Sequence, residues 1–480
     1  MFQFFFFFFY KKKFKGAVLF FQSKVKEGSI KGSIFNMILS TVGGGMLSLA
    51  FGVRQVGLIP GLILLTLSCW LSYFTNDLLL ITCEYMPYDP TPVDDENTVN
   101  DENTAHRKRR PTYWNFSLAC SPSWGRHLAN FTQVLLLVQN FGSFISYEVA
   151  FGGLLDLVWK VVIDDKTDIY AWVVLVITWV IIFPLSLLNS MSALQFTSLL
   201  GITCSIYLGC VIFGEYFHLC DQPTGDPSIR TCIWRKDFHL DSTVLFKFDS
   251  AWQFTQGFLI CFPLFAFAYT AQQYMLPIYF ELTNQSRKRM LKVLQRSSYI
   301  ILFIYICAAG FGYLTFLDGV CGNILLNNYH KDWAVVIAAI TISISMIFAQ
   351  PITTYAWRMN FAEIIYNKKT LERKKHVIIT ILFTFVTMAL SLLLTDIEIV
   401  FGLLGATTFP AIGFVLPAIF FVSIVPADKF PHRRRFAIVQ AVFVTIASLA
   451  SLVYQVYTMI YPTNDSCDSR QQIETPNLFG

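Results

Sequence analysis

The sequence predicts an all-α membrane protein of about eleven transmembrane helices. Of its 480 residues 55% are hydrophobic and 14% charged. The apolar residues fall in blocks about 20 long rather than at a helical or strand period. Lys and Arg avoid those blocks. A helix of that length spans the hydrocarbon at about 1.5 Å per residue and satisfies its own backbone hydrogen bonds there.

The expected spans lie at 33–53, 58–83, 127–158, 169–189, 194–218, 251–280, 295–317, 332–356, 377–395, 399–425 and 436–461. With the N-terminus cytoplasmic, alternate connections place 27 Lys and Arg inside and 9 outside, which together are all 36 in the chain. Basic residues near span ends are retained in the cytoplasm, so the orientation follows. The chain then divides into a cytoplasmic tail at 1–32, a transmembrane domain at 33–461 and an extracytoplasmic tail at 462–480. Within the domain, 84–126 is a cytoplasmic loop and 219–250 an extracytoplasmic one. The cytoplasmic loop runs from an acidic stretch at 94–102 to a basic run at 107–110 and reads as a solvated linker. The phenylalanine run at 4–9 is too short to span and lacks the small-residue cleavage site of a signal peptide.

The net charge of +5 belongs to loops that face anionic headgroups, so the expected partner is the lipid bilayer and not nucleic acid. The seven His are scattered with no nucleophile or metal constellation around them, so no enzyme activity, cofactor or metal site is expected. Seven of the eleven Cys lie in spans, beside them or in the cytoplasmic loop, without zinc-ligand spacing. Cys220, Cys232, Cys321 and Cys467 fall outside, where disulfides are permitted and Cys220–Cys232 across the loop is one pairing that spacing alone does not establish, and Asn464 starts a sequon on the same side.

Two spans are interrupted. Span 1 carries Gly43-Gly44-Gly45 near mid-membrane. Each glycine disfavours helix by about 1 kcal/mol relative to Ala, so three together mark a place where the helix unwinds. Unwound backbone at that depth needs a protein or water partner, which a binding site supplies. Close packing through small residues explains spaced glycines better than a contiguous triplet. Span 6 carries Pro263, which by itself reads as a kink. Spans 1 and 6 are equivalent members of two five-helix halves, however, and paired interruptions in equivalent positions point to a transporter built from inverted repeats.

The span 1 sequence from Gly32 to Leu49 resembles the amino acid/auxin permease family. So do Pro184-Leu185-Ser186-Leu187-Leu188-Asn189 with Thr197-Ser198-Leu199-Leu200-Gly201, and Leu276-Pro277-Ile278-Tyr279-Phe280-Glu281-Leu282. Gln139-Asn140-Phe141-Gly142 and Phe401-Gly402-Leu403-Leu404-Gly405-Ala406 extend the resemblance, which is nearest to the sodium-coupled neutral amino acid transporters. It implies a LeuT-like fold, a 5+5 inverted repeat plus one helix, with an amino acid, neutral by that branch, at a midplane site. The substrate contacts are then expected at Gly43, Gly44, Gly45, Phe265 and Ala266, where half-helix N–H groups meet the carboxylate and freed carbonyls meet the amino group. The implied activity is secondary active or facilitative transport by alternating access, in a plasma membrane or a vacuolar or lysosomal one. A non-transporting amino-acid sensor of the same fold is the alternative.

The sequence departs from the resemblance at the cation ligands. The family's span 1 Asn falls at Leu39 and its span 8 Thr near Ala349, and neither side chain offers the oxygen that a hard cation wants. Ser40, Thr41, Ser343, Ser345 and Gln350 are the nearby polar side chains. The coupling ion is therefore H+ or Na+, and the candidate for carrying a proton is Glu148, deep in span 3. An intramembrane acid pairs, faces water or holds a proton, and is by default a relay candidate; the bland alternative is an aqueous vestibule.

Overall fold

The computed structural model describes residues 29–86, 111–163, 167–187, 195–221, 242–327, 332–366, 372–394 and 396–461. The phenylalanine run, most of the 84–126 and 219–250 loops, Cys220, Cys232 and the C-terminal tail with its sequon lie outside the described residues or side chains. Cys321 is disulfide-bonded.

Among the described residues, eight helices are long and apolar enough to cross a membrane. The other expected spans fall on the broken first helix, on Tyr170–Ser186 and on Gln195–Asp221. In chain order, α1 is Ile30–Thr41 and α2 Leu49–Val56, joined by a 3-10 turn Gly44–Ser48. α3 (Leu58–Tyr85) follows a turn at Gly57, whose φ of 93° and close approach to Leu245 O (2.7 Å from an ideal Cβ) call for glycine. α4 (Tyr113–Cys120) begins with a Thr112/Asn115 capping box and precedes α5 (Gly125–Ile163). At 39 residues α5 is about 58 Å long, well beyond the roughly 30 Å hydrocarbon.

α6 (Tyr170–Ile177) runs through a π turn at Thr178–Ile182, and α7 is Gln195–Asp221. α8 (Ala251–Tyr269) and α9 (Gln272–Glu281) are separated by a break. α10 (Arg287–Phe316), α11 (Trp333–Tyr366) and α12 (Arg373–Leu393) are continuous. α13 (Ile397–Ala406) leads through a π turn at Ala411–Val415 into α14 (Leu416–Ile424), and α15 (Pro431–Ile460) ends the described fold.

Side-chain distribution is that of a helix bundle in lipid. On α15, Val439, Ile446, Val453 and Ile460 recur every seven residues on the exposed face, whereas Gln440, Ala447, Ser448, Ser451 and Gln455 are buried. Lipid gives apolar side chains no reason to turn inward, so small and polar residues take the helix interfaces. Close approach is visible where α13 meets α8: a Cβ on Gly405 would stand 2.0 Å from Pro263 O. α5 packs most extensively on α11, and α8 lies against α2, α13 and α15.

Charge is kept at the helix ends with few exceptions. Asp77 of α3 is buried and accepts from Arg287 Nη2 of α10 at 2.7 Å and from Arg433 of α15, tying three helices together. Arg358 of α11 is also buried and donates to Ser186 O at 2.9 Å and Thr380 Oγ1 at 3.1 Å. The sequence-based boundary of span 8 stops two residues short of this arginine, because a cation argues for the end of a span where hydrogen-bond partners from other helices cannot be seen.

Candidate functional site

The two breaks lie side by side. α1 stops at Thr41 because Val42 turns to extended backbone (φ −81°, ψ 99°) and Gly43 follows at φ −144°, ψ −144°. The chain resumes as the 3-10 turn, with Met46 N–H donating to Gly43 O at 3.1 Å. In the second helix, α8 passes through Pro263 and stops only after Tyr269, where Thr270 is extended (φ −83°, ψ 93°). An ideal Cβ on Gly45 would stand 3.0 Å from Ala268 Cα, which is how closely the two interruptions approach.

A break frees carbonyls that must find donors. Tyr305 of α10 supplies one to both helices: its hydroxyl lies 2.8 Å from Thr41 O and 3.0 Å from Ala268 O. Ser205 of α7 shares its hydroxyl proton between Gly201 O of its own helix at 2.9 Å and Val42 O at 3.3 Å, and Ser72 of α3 donates to Tyr269 O at 3.0 Å. Gln272 Nε2 then donates to Ser72 Oγ at 3.1 Å, so the first residue of α9 completes the chain. These polar groups satisfy carbonyls that the interruptions free.

Between the breaks is a cavity of about 90 Å³. Gly43, Gly44, Gly45, Ser40 and Thr41 form one wall, Phe267, Ala268 and Thr270 another, and Gln139, Asn140, Ser143, Ser146 and Tyr147 of α5 a third. Gln273, Tyr274, Thr353 and Phe409 complete it. Phe267 stacks on Phe401 with ring centroids 4.2 Å apart and packs on Phe409 at 4.6 Å, so the aromatic side of the cavity is rigidly backed. None of the described residues lining it is charged.

A family model described as transmembrane amino acid transporter protein matches residues 26–461. The chain belongs to that family. It is an integral multi-pass membrane protein and an amino acid transporter, and the cavity lies within the matched region. Among solved structures it is similar to MhsT in complex with L-phenylalanine, with 12% identity, 88% of this chain and 98% of that chain covered and a TM-score of 0.49. It is also similar to Mhp1, a nucleobase-cation-symport-1 family transporter in a closed conformation with bromovinylhydantoin bound (10% identity, 92% and 94% covered, TM-score 0.48). A third is the manganese transporter of Eremococcus coleocola with an aromatic bis-isothiourea substituted compound (11% identity, 93% and 90% covered, TM-score 0.47). At these identities and scores the family match, and not the three structures, decides the assignment.

In this amino acid transporter the glycine triplet lines the cavity, whereas Phe265 and Ala266 are not among the lining residues. Phe265 is fully buried against α2, where an ideal Cβ on Gly52 would meet its ring at 2.7 Å. Phe267 and Ala268 take the cavity positions, because the break falls at Thr270 rather than at Pro263 and each residue along α8 turns the face by about 100°. Glu148 is fully buried and is also not a lining residue, although its neighbours Ser146 and Tyr147 are. It accepts a hydrogen bond from Thr178 Oγ1 at 3.1 Å, at the π turn following α6, and its second oxygen has no hydrogen-bond partner among the described residues.

The Leu39 side chain lies outside the described side chains, and Ala349 is half-buried on α11. The nearby hydroxyls serve their own helices: Ser40 and Thr41 donate to Met37 O at 3.0 and 2.9 Å, and Ser343 to Ala339 O at 2.7 Å. Gln350 is fully buried with neither amide heteroatom hydrogen-bonded among the described residues.

Proposed function

We propose that the chain carries small neutral amino acids by alternating access, as a secondary active or facilitative transporter and not an enzyme, with the cavity between the two breaks as its substrate site. The observation that carries this is the pairing of an uncharged, polar-lined cavity with two adjacent helix interruptions. A zwitterion brings one charge of each sign, so a site for a neutral amino acid needs backbone dipoles rather than a fixed charged side chain. In this reading the carboxylate would be held by N–H groups at the start of the Gly44–Ser48 turn and the ammonium by carbonyls at the ends of the broken helices. At about 30 Å³ per water, 90 Å³ is room for about three waters, which favours the smallest amino acids over large ones.

The two breaks stand in the first helix of each half of a 5+5 inverted repeat, and alternate exposure of the cavity follows from one set of helices rocking against the rest. The Lys and Arg distribution supports a cytoplasmic N-terminus, in a plasma membrane or a vacuolar or lysosomal one. Glu148 is our candidate for the coupling proton, since the two positions at which relatives hold sodium are Leu39 and Ala349.

Uptake of radiolabelled amino acids into proteoliposomes tests the reading. A panel of small neutral, large neutral, acidic and basic amino acids is run with sodium and with a proton gradient. Small neutral amino acids should accumulate with the proton gradient and without sodium, and Glu148→Gln should lose accumulation while keeping exchange. Binding without flux would sink transport in favour of a sensor, and strict sodium dependence would remove Glu148 from the coupling step.

A further inference from the structure

Away from the cavity, the structure brings together three ligand-type side chains that the sequence separates. Glu215 and His218 stand one turn apart near the end of α7, and Asp332 immediately precedes α11. His218 Nδ1 lies 3.7 Å from Glu215 Oε2 and 3.4 Å from Asp332 Oδ2. All three ligand atoms lie within 4.8 Å of one another. Ligands bonded at about 2.0–2.2 Å to a tetrahedral cation stand roughly 3.3–3.6 Å apart, so two of the three edges already match within about 0.1 Å.

A second observation points to a missing partner. Glu215 is 95% buried, being 5% exposed, yet its Oε2 has no hydrogen-bond partner among the described residues. That atom is the one directed at His218. A buried carboxylate oxygen without a donor costs free energy that a bound cation removes. The other ligands are set for the task in different ways. Asp332 Oδ1 accepts from Ala334 N–H at 2.7 Å, which fixes the carboxylate at the start of α11 and leaves Oδ2 toward His218. The His218 side chain is 54% exposed, which provides an entry path from solution.

We propose that Glu215, His218 and Asp332 form a binding site for a first-row divalent cation of the zinc type, clamping the end of α7 to the start of α11. One imidazole and two carboxylates suit such an ion, and three protein ligands leave a fourth position for water. Calcium and magnesium fit less well, since they take six or more ligands and prefer oxygen throughout. The site lies at the helix ends that the Lys and Arg distribution assigns to the outside, so the ion would come from the extracytoplasmic medium.

The test uses the purified full-length protein, stripped with chelator and then titrated with buffered Zn2+, with thermal unfolding as the readout. The unfolding temperature should rise with a half-effect at micromolar Zn2+, and millimolar Mg2+ should not reproduce it. His218→Ala should weaken the half-effect at least about tenfold, as loss of a metal-site residue does. This surface substitution should leave amino acid uptake in chelator unchanged, which shows that the fold is kept. Glu215→Gln should abolish the response; if that variant misfolds, His218→Ala decides. The proposal is overturned if wild type shows no shift up to about 1 mM Zn2+, or if wild type and His218→Ala respond alike. Because unfolding is read directly, this outcome stands whether or not the transport reading holds.

Discussion

The three glycines of the first break should answer to alanine in three different ways, because the space around each differs. A Cβ on Gly45 would meet Ala268 Cα at 3.0 Å, Ala268 Cβ at 3.2 Å and Phe267 Cδ1 at 3.2 Å. None of these can step aside. Two belong to the backbone and Cβ of the second break, and the Phe267 ring is stacked on Phe401. Gly45→Ala must therefore push the two breaks apart, an overpacking cost of about 1–3 kcal/mol, or roughly five- to 150-fold in a population. A Cβ on Gly44 would come within 3.2 Å of Met346 Cε, the free end of a flexible side chain, and no closer than 3.5 Å to Phe401. Gly44→Ala should cost less than about 1 kcal/mol. Gly43 has nothing within 4 Å of its Cβ position and lines the cavity, so Gly43→Ala should leave stability unchanged and raise the KM for uptake by narrowing the site. Thermal unfolding in detergent and uptake in proteoliposomes, measured on all three variants, separate these outcomes. If Gly45→Ala transports like wild type while Gly44→Ala does not, the packing of the two breaks is not as described.

Further expectations follow from the groups that tie helices together. Tyr305→Phe keeps the ring but leaves Thr41 O and Ala268 O without their shared donor, at a cost of about 1–3 kcal/mol, so both unfolding temperature and uptake should fall. Unchanged values would mean that water replaces the hydroxyl at no cost. Asp77→Asn should loosen the ends of α3, α10 and α15. Breaking a buried pair costs about 3–5 kcal/mol, but the Arg287 and Arg433 side chains are 20% and 40% exposed, and screening brings the expectation to about 1–3 kcal/mol. A double-mutant cycle with Arg287→Met checks this: the double variant should be less destabilised than the sum of the singles, and strict additivity would deny the pairing.

Much of the fold was legible because a bilayer imposes one structure on a 20-residue apolar run, and the apolar runs are long and unambiguous. The glycine triplet was legible for a local reason, since helix propensity fails there by itself. The second break was not. Between Pro263 and Pro277 the chain has neither Gly nor Pro, and the interruption at Thr270 owes its tolerance to Ser72 and Tyr305, which lie far away in sequence. Reading the break at Pro263 directed attention to Phe265 and Ala266, whereas Phe267 and Ala268, on another face of the helix, line the cavity. The Glu215, His218 and Asp332 group was hidden for a similar reason, because more than a hundred residues separate its third member from the first two.

The role of Tyr305 links the two breaks more tightly than their contact alone. One phenolic proton faces two carbonyls, one at the end of α1 and one near the end of α8. A hydroxyl donates one full-strength hydrogen bond at a time, so the better-aligned carbonyl takes it and the other is left with a weak share. Any movement that shortens one of the 2.8 and 3.0 Å distances at the expense of the other transfers the donor between the helices. The carbonyl left behind then needs a new donor, which the ammonium of an amino acid in the proposed site would supply. With the substrate site as proposed, substrate binding and the relative position of α1 and α8 would be coupled through a side chain that belongs to neither helix. Tyr305→Phe should on that account cost more in uptake with substrate below KM than with substrate in excess, whereas a purely structural tyrosine would lower both equally.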